Sequence, residues 1–374
     1  MIKNELLAFF TVLCALTSTC KNRVSSTAYA DTSGEVAMDV KSFTLDPLPS
    51  WARDGLYSGS YLDIDKMSSA FGFSRFEAIE VQNRMRDFQE ADPTSVPQET
   101  FAKAVGEIRE KNYESGWSPI TFTKPEEFVA VFDMDETLLV QWHATSGQGF
   151  SDLFHVLSDF VGDKRSPDSV KFTPGAEDII KRLKANPSCR ALVAFSAKAD
   201  APMIDILNKW KFGDGEPARK YFSGVFTRNH LIIGPKILIP SKDLRIFDPE
   251  LKHVVMIDDN PGRIFQPMLL RAEPKFDADT YFHAKSNAQA DIIIHYETML
   301  GHAAEEIEET AKAAAALNIP FSQAFIPYSY AGNRIYQNYI ALGKDASEAR
   351  RLARMAPQLN DAAFVPMAAP AIQP

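Results

Sequence analysis

Cysteine is too scarce in this chain to hold it together. Three are present among 374 residues, and Cys14 and Cys20 fall near the amino end, leaving Cys189 as the one thiol of the body. A lone cysteine cannot close an intramolecular disulfide. Cys189 follows Asn186-Pro187-Ser188 at the start of an apolar run, which predicts burial rather than catalysis. Neither a Cys-x-x-Cys pair nor a His-Glu-x-x-His segment occurs, so a zinc site of familiar spacing is unsupported. A basic surplus is missing too. With a formal net charge of -9, the chain has no general field for nucleic acid or an anionic membrane surface, and any anionic ligand must be held locally. There is no internal repeat.

Apolar runs long enough to span a bilayer are absent as well. Leu6 to Leu16 is short and isolated, which predicts an export signal over 1–30 rather than a transmembrane helix. Cleavage after Ala28-Tyr29-Ala30 competes with lipid attachment at Cys20, where Leu16-Thr17-Ser18-Thr19-Cys20 is an imperfect lipobox. The expected location is therefore periplasmic or envelope-associated, with the final anchorage open.

What is present suffices for a substantial core: 45% of residues are hydrophobic and 24% charged. Apolar residues at helical intervals over Leu62 to Gln89 and Thr100 to Tyr113 predict an accessory helical region within 31–124. From Phe128 the texture changes to short β-branched runs: FVAVF, Ala191 to Phe195, Gly224 to Phe226, and Val254 to Ile257. Amphipathic stretches separate them, such as Ala176 to Leu183 and Pro202 to Trp210. Strands without alternation, spaced by helices, predict a parallel α/β sheet covered on both faces. Beyond His302 an alanine- and glutamate-rich stretch and a helix from Asp345 to Met355 predict a helical extension over 302–374 with an Ala/Pro-rich tail. The acidic run Glu305 to Glu309 reads as a solvated helix face.

In an open parallel sheet ligands bind beyond the carboxyl ends of the strands. There stand Asp133, Met134, Asp135, Glu136 and Thr137, then Ser196, then Asp258 and Asp259, with Lys242 ahead of the fourth run. Each type answers a need of phosphoryl transfer. A carboxylate attacks phosphorus, a second carboxyl group protonates the leaving oxygen, and hard oxygen ligands suit magnesium. Taken singly, each also fits an ordinary cap or loop residue. Their order at successive strand ends favours catalysis.

Asp133-Met134-Asp135-Glu136-Thr137 resembles the Asp-x-Asp-x-Thr motif of the haloacid dehalogenase superfamily. Phe172 to Asp178, AFSAKAD, Ser241-Lys242-Asp243-Leu244 and IDDNPGRIF further resemble the polymerase carboxyl-terminal-domain (NLI-interacting-factor-like) phosphatases, over about Glu127 to Tyr296. The resemblance implies a haloacid-dehalogenase-like Rossmannoid sheet over 125–301 with a small cap insert and accessory helices at both ends. It implies Asp133 as nucleophile and Asp135 as acid/base, and a Mg2+ ion held by Asp133, the backbone carbonyl of Asp135, Asp258 and Asp259. Thr137, Ser196 and Lys242 would bind the substrate phosphoryl group. Asp259 replaces the narrower family's asparagine, Ser196 its threonine, and Gln141 to Val170 matches its insert poorly. A phosphorylated partner is implied, either a phosphoprotein or a small phosphoester. The alternatives are an exported acid phosphatase or nucleotidase of broad specificity, and a non-catalytic interaction module of the same fold.

Overall fold

The computed structural model describes residues 55–58, 61–91, 96–141, 160–161, 170–198, 200–234 and 237–356. The export signal expected over 1–30 with Cys20, the Ala/Pro-rich tail and most of the interval from Gln141 to Val170 lie outside the described residues. All described residues fall in one unit, Leu45–Pro374.

Two residue pairs, β1 (Tyr57–Ser58) and β2 (Tyr61–Leu62), form a small ladder ahead of helices α1 (Ile64–Phe71), α2 (Arg75–Ala91) and α3 (Gln98–Arg109). The helical periodicity over Leu62 to Gln89 is divided between two helices, because Gly72 at φ +68 ends α1 and separates it from α2. Glycine adopts that left-handed conformation without steric cost. β3 (Phe128–Phe132) follows, then β4 (Leu139–Gln141), β5 (Phe160–Val161) and β6 (Val170–Phe172), which make an antiparallel sheet in the order β4-β6-β5. The chain continues as α4 (Ala176–Ala185), β7 (Cys189–Phe195), α5 (Asp200–Lys209), β8 (Gly224–Phe226), the hairpin β9 (Ile232–Gly234) and β10 (Ile237–Ser241), β11 (Val254–Asp258) and β12 (Leu270–Ala272). It closes with α6 (Ala278–Ser286), α7 (Ala290–Leu317), α8 (Phe321–Phe325), α9 (Asn333–Ala341) and α10 (Ala346–Arg354).

The central sheet runs β12-β11-β3-β7-β8 with every pair parallel. Successive side chains on a strand point to opposite faces, and both faces here are apolar. Val129, Val131, Ala191, Val193, Val254 and Met256 share one face with Phe76, Ile79, Phe101 and Trp117 of the amino-terminal layer. Phe128, Ala130, Phe132, Leu192, Ala194, Val255 and Ile257 share the other with α4, α5, α7 and α8. Register pairs such as Val131 with Met256 and with Val193 keep like-facing residues side by side. A fully enclosed Phe132 contributes about 2–3 kcal/mol by burial alone. The amino-terminal helices are thus one of the two layers that cover the sheet.

The boundary expected near 301 and 302 falls inside α7, which runs unbroken through Gly301. Glu305 and Glu309 of the acidic run are exposed and Glu306 and Glu308 half-buried, and the run carries ion pairs to neighbouring elements: Glu306 pairs with Arg271 of β12, Glu308 with Arg182 of α4 at 2.7 Å, and Glu309 with Arg354 of α10 at 3.1 Å. α7 thereby ties the carboxyl-terminal helices to the sheet. Among the described residues no helix is long and apolar enough to cross a membrane.

Candidate active site

β3 and β11 are neighbours in the sheet, so the residues that end them come together. The ladder continues one step past β3, where the Asp133 N–H donates to the Ile257 carbonyl at 2.8 Å. Asp258 is the last residue of β11. Between the two carboxylates lies the ammonium of Lys242, 2.5 Å from Asp133 Oδ1 and 2.6 Å from Asp258 Oδ2. All three side chains are buried. Carboxylate oxygens of Asp133, Asp258 and Asp259 all lie within 4.8 Å of one another.

Burial pushes the Asp133 carboxyl well above the usual aspartate range, to about 8, with Lys242 opposing the rise and Asp258 adding to it. Burial works against the charge on Lys242, yet Asp133 and Asp258 hold its ammonium above the ordinary lysine value. Asp259 is pushed up to about 6 by burial and by the neighbouring Asp258, while the Thr137 hydroxyl counters this.

Asp135 faces other partners. Its carboxylate accepts from the Ser196 hydroxyl at 3.1 Å and pairs with the Lys198 ammonium. The two aspartates of the motif are therefore served by different cations. Glu136 takes φ +64, a left-handed conformation that costs a non-glycine residue on the order of 1–3 kcal/mol. Its N–H donates to the Leu139 carbonyl, its own carbonyl accepts from Phe276, and its side chain pairs with Lys275 at 2.6 Å at the edge of the cleft. That tight loop carries the chain from β3 into β4.

These groups line a cleft of about 340 Å³ with Asp133, Asp135, Lys198, Lys242, Asp258, Asp259 and Arg263 in its wall. Two residues expected at the substrate lie behind that wall. Thr137 is fully buried; its hydroxyl accepts from the Asp259 N–H at 3.0 Å and donates to Asp259 Oδ1 at 3.2 Å. Ser196 is fully buried too, donating to Asp135 and accepting from the Lys198 N–H at 3.0 Å. Both hydroxyls are spent on positioning acidic residues. Lys242 is in the wall.

Lys198 and Arg263 were not singled out from sequence. A lysine or arginine in a loop is an ordinary surface residue, and only the proximity of Ser196 and of Asp258-Asp259-Asn260 would have pointed to them. The backing of Lys242 was equally hidden. Asp243, fully buried, accepts from Arg75 Nε of α2 at 3.0 Å, from Gln266 at 2.9 Å and from Arg245 at 2.6 Å.

Residues 128–280 match the model of the NLI interacting factor-like phosphatase family. This segment is a phosphatase domain of that family. It contains every cleft residue named above, and it leaves out α1 to α3, most of α6 and all of α7 to α10. Two solved structures of Fcp1 resemble the chain. One is the fission yeast RNA polymerase II CTD phosphatase bound to beryllium fluoride, 13% identical, covering 63% of this chain and 73% of that one with a TM-score of 0.36. The other, described as an essential RNA polymerase II CTD phosphatase, is 15% identical and covers 57% of this chain and 70% of that one with a TM-score of 0.32. No curated protein matches the sequence. In the phosphatase domain here, the five-stranded parallel sheet places the acidic groups at the carboxyl ends of adjacent strands.

Proposed function

We propose that the phosphatase domain hydrolyses phosphomonoesters through an aspartyl-phosphate on Asp133, with magnesium as its cofactor. The observation that carries this reading is the bridging of Asp133 and Asp258 by one buried lysine beside a third carboxylate, Asp259. The donor set fits the ion: among the described residues every nearby ligand atom is a hard carboxylate oxygen, with no thiol or imidazole. Asp133, Asp258 and Asp259 would hold it, with the backbone carbonyl of Asp135. When bound, magnesium supplies positive charge against the phosphoryl oxygens and the clustered carboxylates.

The chain's own residues then divide the work. An Asp133 oxygen attacks phosphorus, the ester P–O bond breaks, and Asp135 gives a proton to the departing oxygen. Asp135 next takes a proton from water, whose oxygen attacks the same phosphorus; the bond to Asp133 breaks and inorganic phosphate leaves. Lys242 opposes the rise that burial imposes on Asp133 and so favours the ionised nucleophile. Ser196 and Lys198 orient Asp135, and Thr137 orients Asp259. The substrate's ester is carried by a protein side chain or by a small molecule.

The test is hydrolysis of a chromogenic phosphomonoester by the mature protein, with and without magnesium, beside Asp133→Asn. Magnesium-dependent turnover that falls at least about 1,000-fold in the variant is expected, since removal of a nucleophile leaves only binding and electrostatic catalysis. Folded wild type that releases no phosphate from any ester, or a variant that keeps its rate, would overturn the reading.

A further inference from the structure

We infer that Arg263 selects phosphomonoesters that carry a second anionic group, a carboxylate or another phosphate, beside the reacting one. The inference rests on the phosphatase reading above and names its substrate class. Among the described residues three cations line the cleft, and two are committed. Lys242 is shared between Asp133 and Asp258, and Lys198 is paired with Asp135. Arg263 is the cleft cation whose side chain has no hydrogen-bond or ion-pair partner among the described residues. Five carboxylates, Asp133, Asp135, Glu136, Asp258 and Asp259, line the same space. In so acidic a cleft a guanidinium left over from all pairing is a receptor for an anion from outside.

Its backbone is held firmly at that place. Arg263 ends the turn that starts at Asn260, its N–H donating to the Asn260 carbonyl at 3.2 Å, while its own carbonyl accepts from the Lys242 N–H at 2.7 Å. Asn260 is tied in turn to the site, its N–H donating to Asp258 Oδ1 at 2.7 Å and its side-chain oxygen accepting from Gly262 at 3.1 Å. The arginine is thus anchored beside both Lys242 and Asp258, with a half-buried side chain. A guanidinium is always charged and presents a planar fork that matches the two oxygens of a carboxylate or phosphate. The five carboxylates repel any polyanionic substrate, so a cation reserved for its second charge decides whether such a substrate enters.

Two matched pairs of esters read this directly, by release of inorganic phosphate in the presence of magnesium. Glycerol 3-phosphate against 3-phosphoglycerate adds a carboxylate, and 3-hydroxypropyl phosphate against propane-1,3-diyl bisphosphate adds a phosphate. Wild type is expected to prefer the doubly anionic member of at least one pair by tenfold or more in kcat/KM, mainly through KM. In Arg263→Ala the ratio should fall to within about twofold of one, and Arg263→Lys should recover part of it, because a point charge replaces the fork. The pair that carries the preference identifies the anion. A wild-type ratio near one in both pairs overturns the inference, as does a preference that survives in Arg263→Ala. The same four esters are titrated calorimetrically into Asp133→Asn with magnesium, alone and combined with Arg263→Ala. This arm needs no turnover: an affinity ratio that does not depend on Arg263 sinks the inference, whereas absent hydrolysis in wild type counts against the phosphatase reading alone.

Discussion

Glu273 follows β12, its N–H donating to the Asp258 carbonyl at 3.0 Å, and its carboxyl group is buried with no hydrogen-bond partner on either oxygen among the described residues. The Arg271 guanidinium stands 3.7 Å away but is already paired with Glu306. Burial raises this carboxyl from the ordinary 4.5 to about 7, with Arg271 opposing the rise and Glu306 adding to it. Between those two values the unfolded chain has released the proton and the folded chain still holds it. Stability therefore falls as pH rises through that window, by about 1.4 kcal/mol for each pH unit crossed. The full interval corresponds to roughly 3 kcal/mol. Glu273→Gln keeps the shape of the protonated side chain and cannot ionise. It should leave stability at pH 4 nearly unchanged and raise it at pH 8 by about 1–3 kcal/mol. Urea unfolding of both chains at the two pH values is the assay. Asp133 and Asp259 are raised as well, to about 8 and about 6, so the wild-type pH profile mixes three groups. The difference between variant and wild type isolates one. A variant no more stable than wild type at pH 8, or equally shifted at both pH values, would refute the reasoning.

Lys242→Met leaves Asp133 and Asp258 buried without their shared cation, and breaking such a pair typically costs about 3–5 kcal/mol. Thermal unfolding in chelator should show that loss, with partial recovery on adding magnesium, and kcat should fall at least about 100-fold. Arg75→Ala removes one donor from buried Asp243 and should cost about 1–3 kcal/mol in urea unfolding, together with a loss of kcat that Arg75→Lys partly restores. Thr137→Val keeps the volume of a fully buried side chain while stripping Asp259 of both contacts to the hydroxyl. It should cost about 1–3 kcal/mol and raise the magnesium concentration that half-saturates turnover.

Much of the sheet was legible because its strands are buried on both faces. FVAVF, Ala191 to Phe195, Gly224 to Phe226 and Val254 to Ile257 are uninterrupted apolar runs for that reason, and all lie in the parallel sheet. β12 escaped notice: it is three residues at the sheet's edge, with two of them only partly buried, so it has no apolar run to announce it. The break between α1 and α2 escaped because periodicity alone does not register a backbone conformation.

The acidic and basic groups divide along similar lines. Asp133, Lys242, Asp258 and Asp259 were determined by the sequence itself, since their places beside strand ends follow from local order along the chain. Which cation serves which carboxylate was decided only by tertiary structure, because those partners are as far apart as Asp135 from Lys198 and Arg75 from Asp243. The same holds for Thr137 and Ser196, whose hydroxyls looked available until packing enclosed them. Residue types and their order prescribe the chemistry that a strand end offers; enclosure and partnership arise only when distant segments share one interior, where an unpaired charge is costly and each polar group must find a partner.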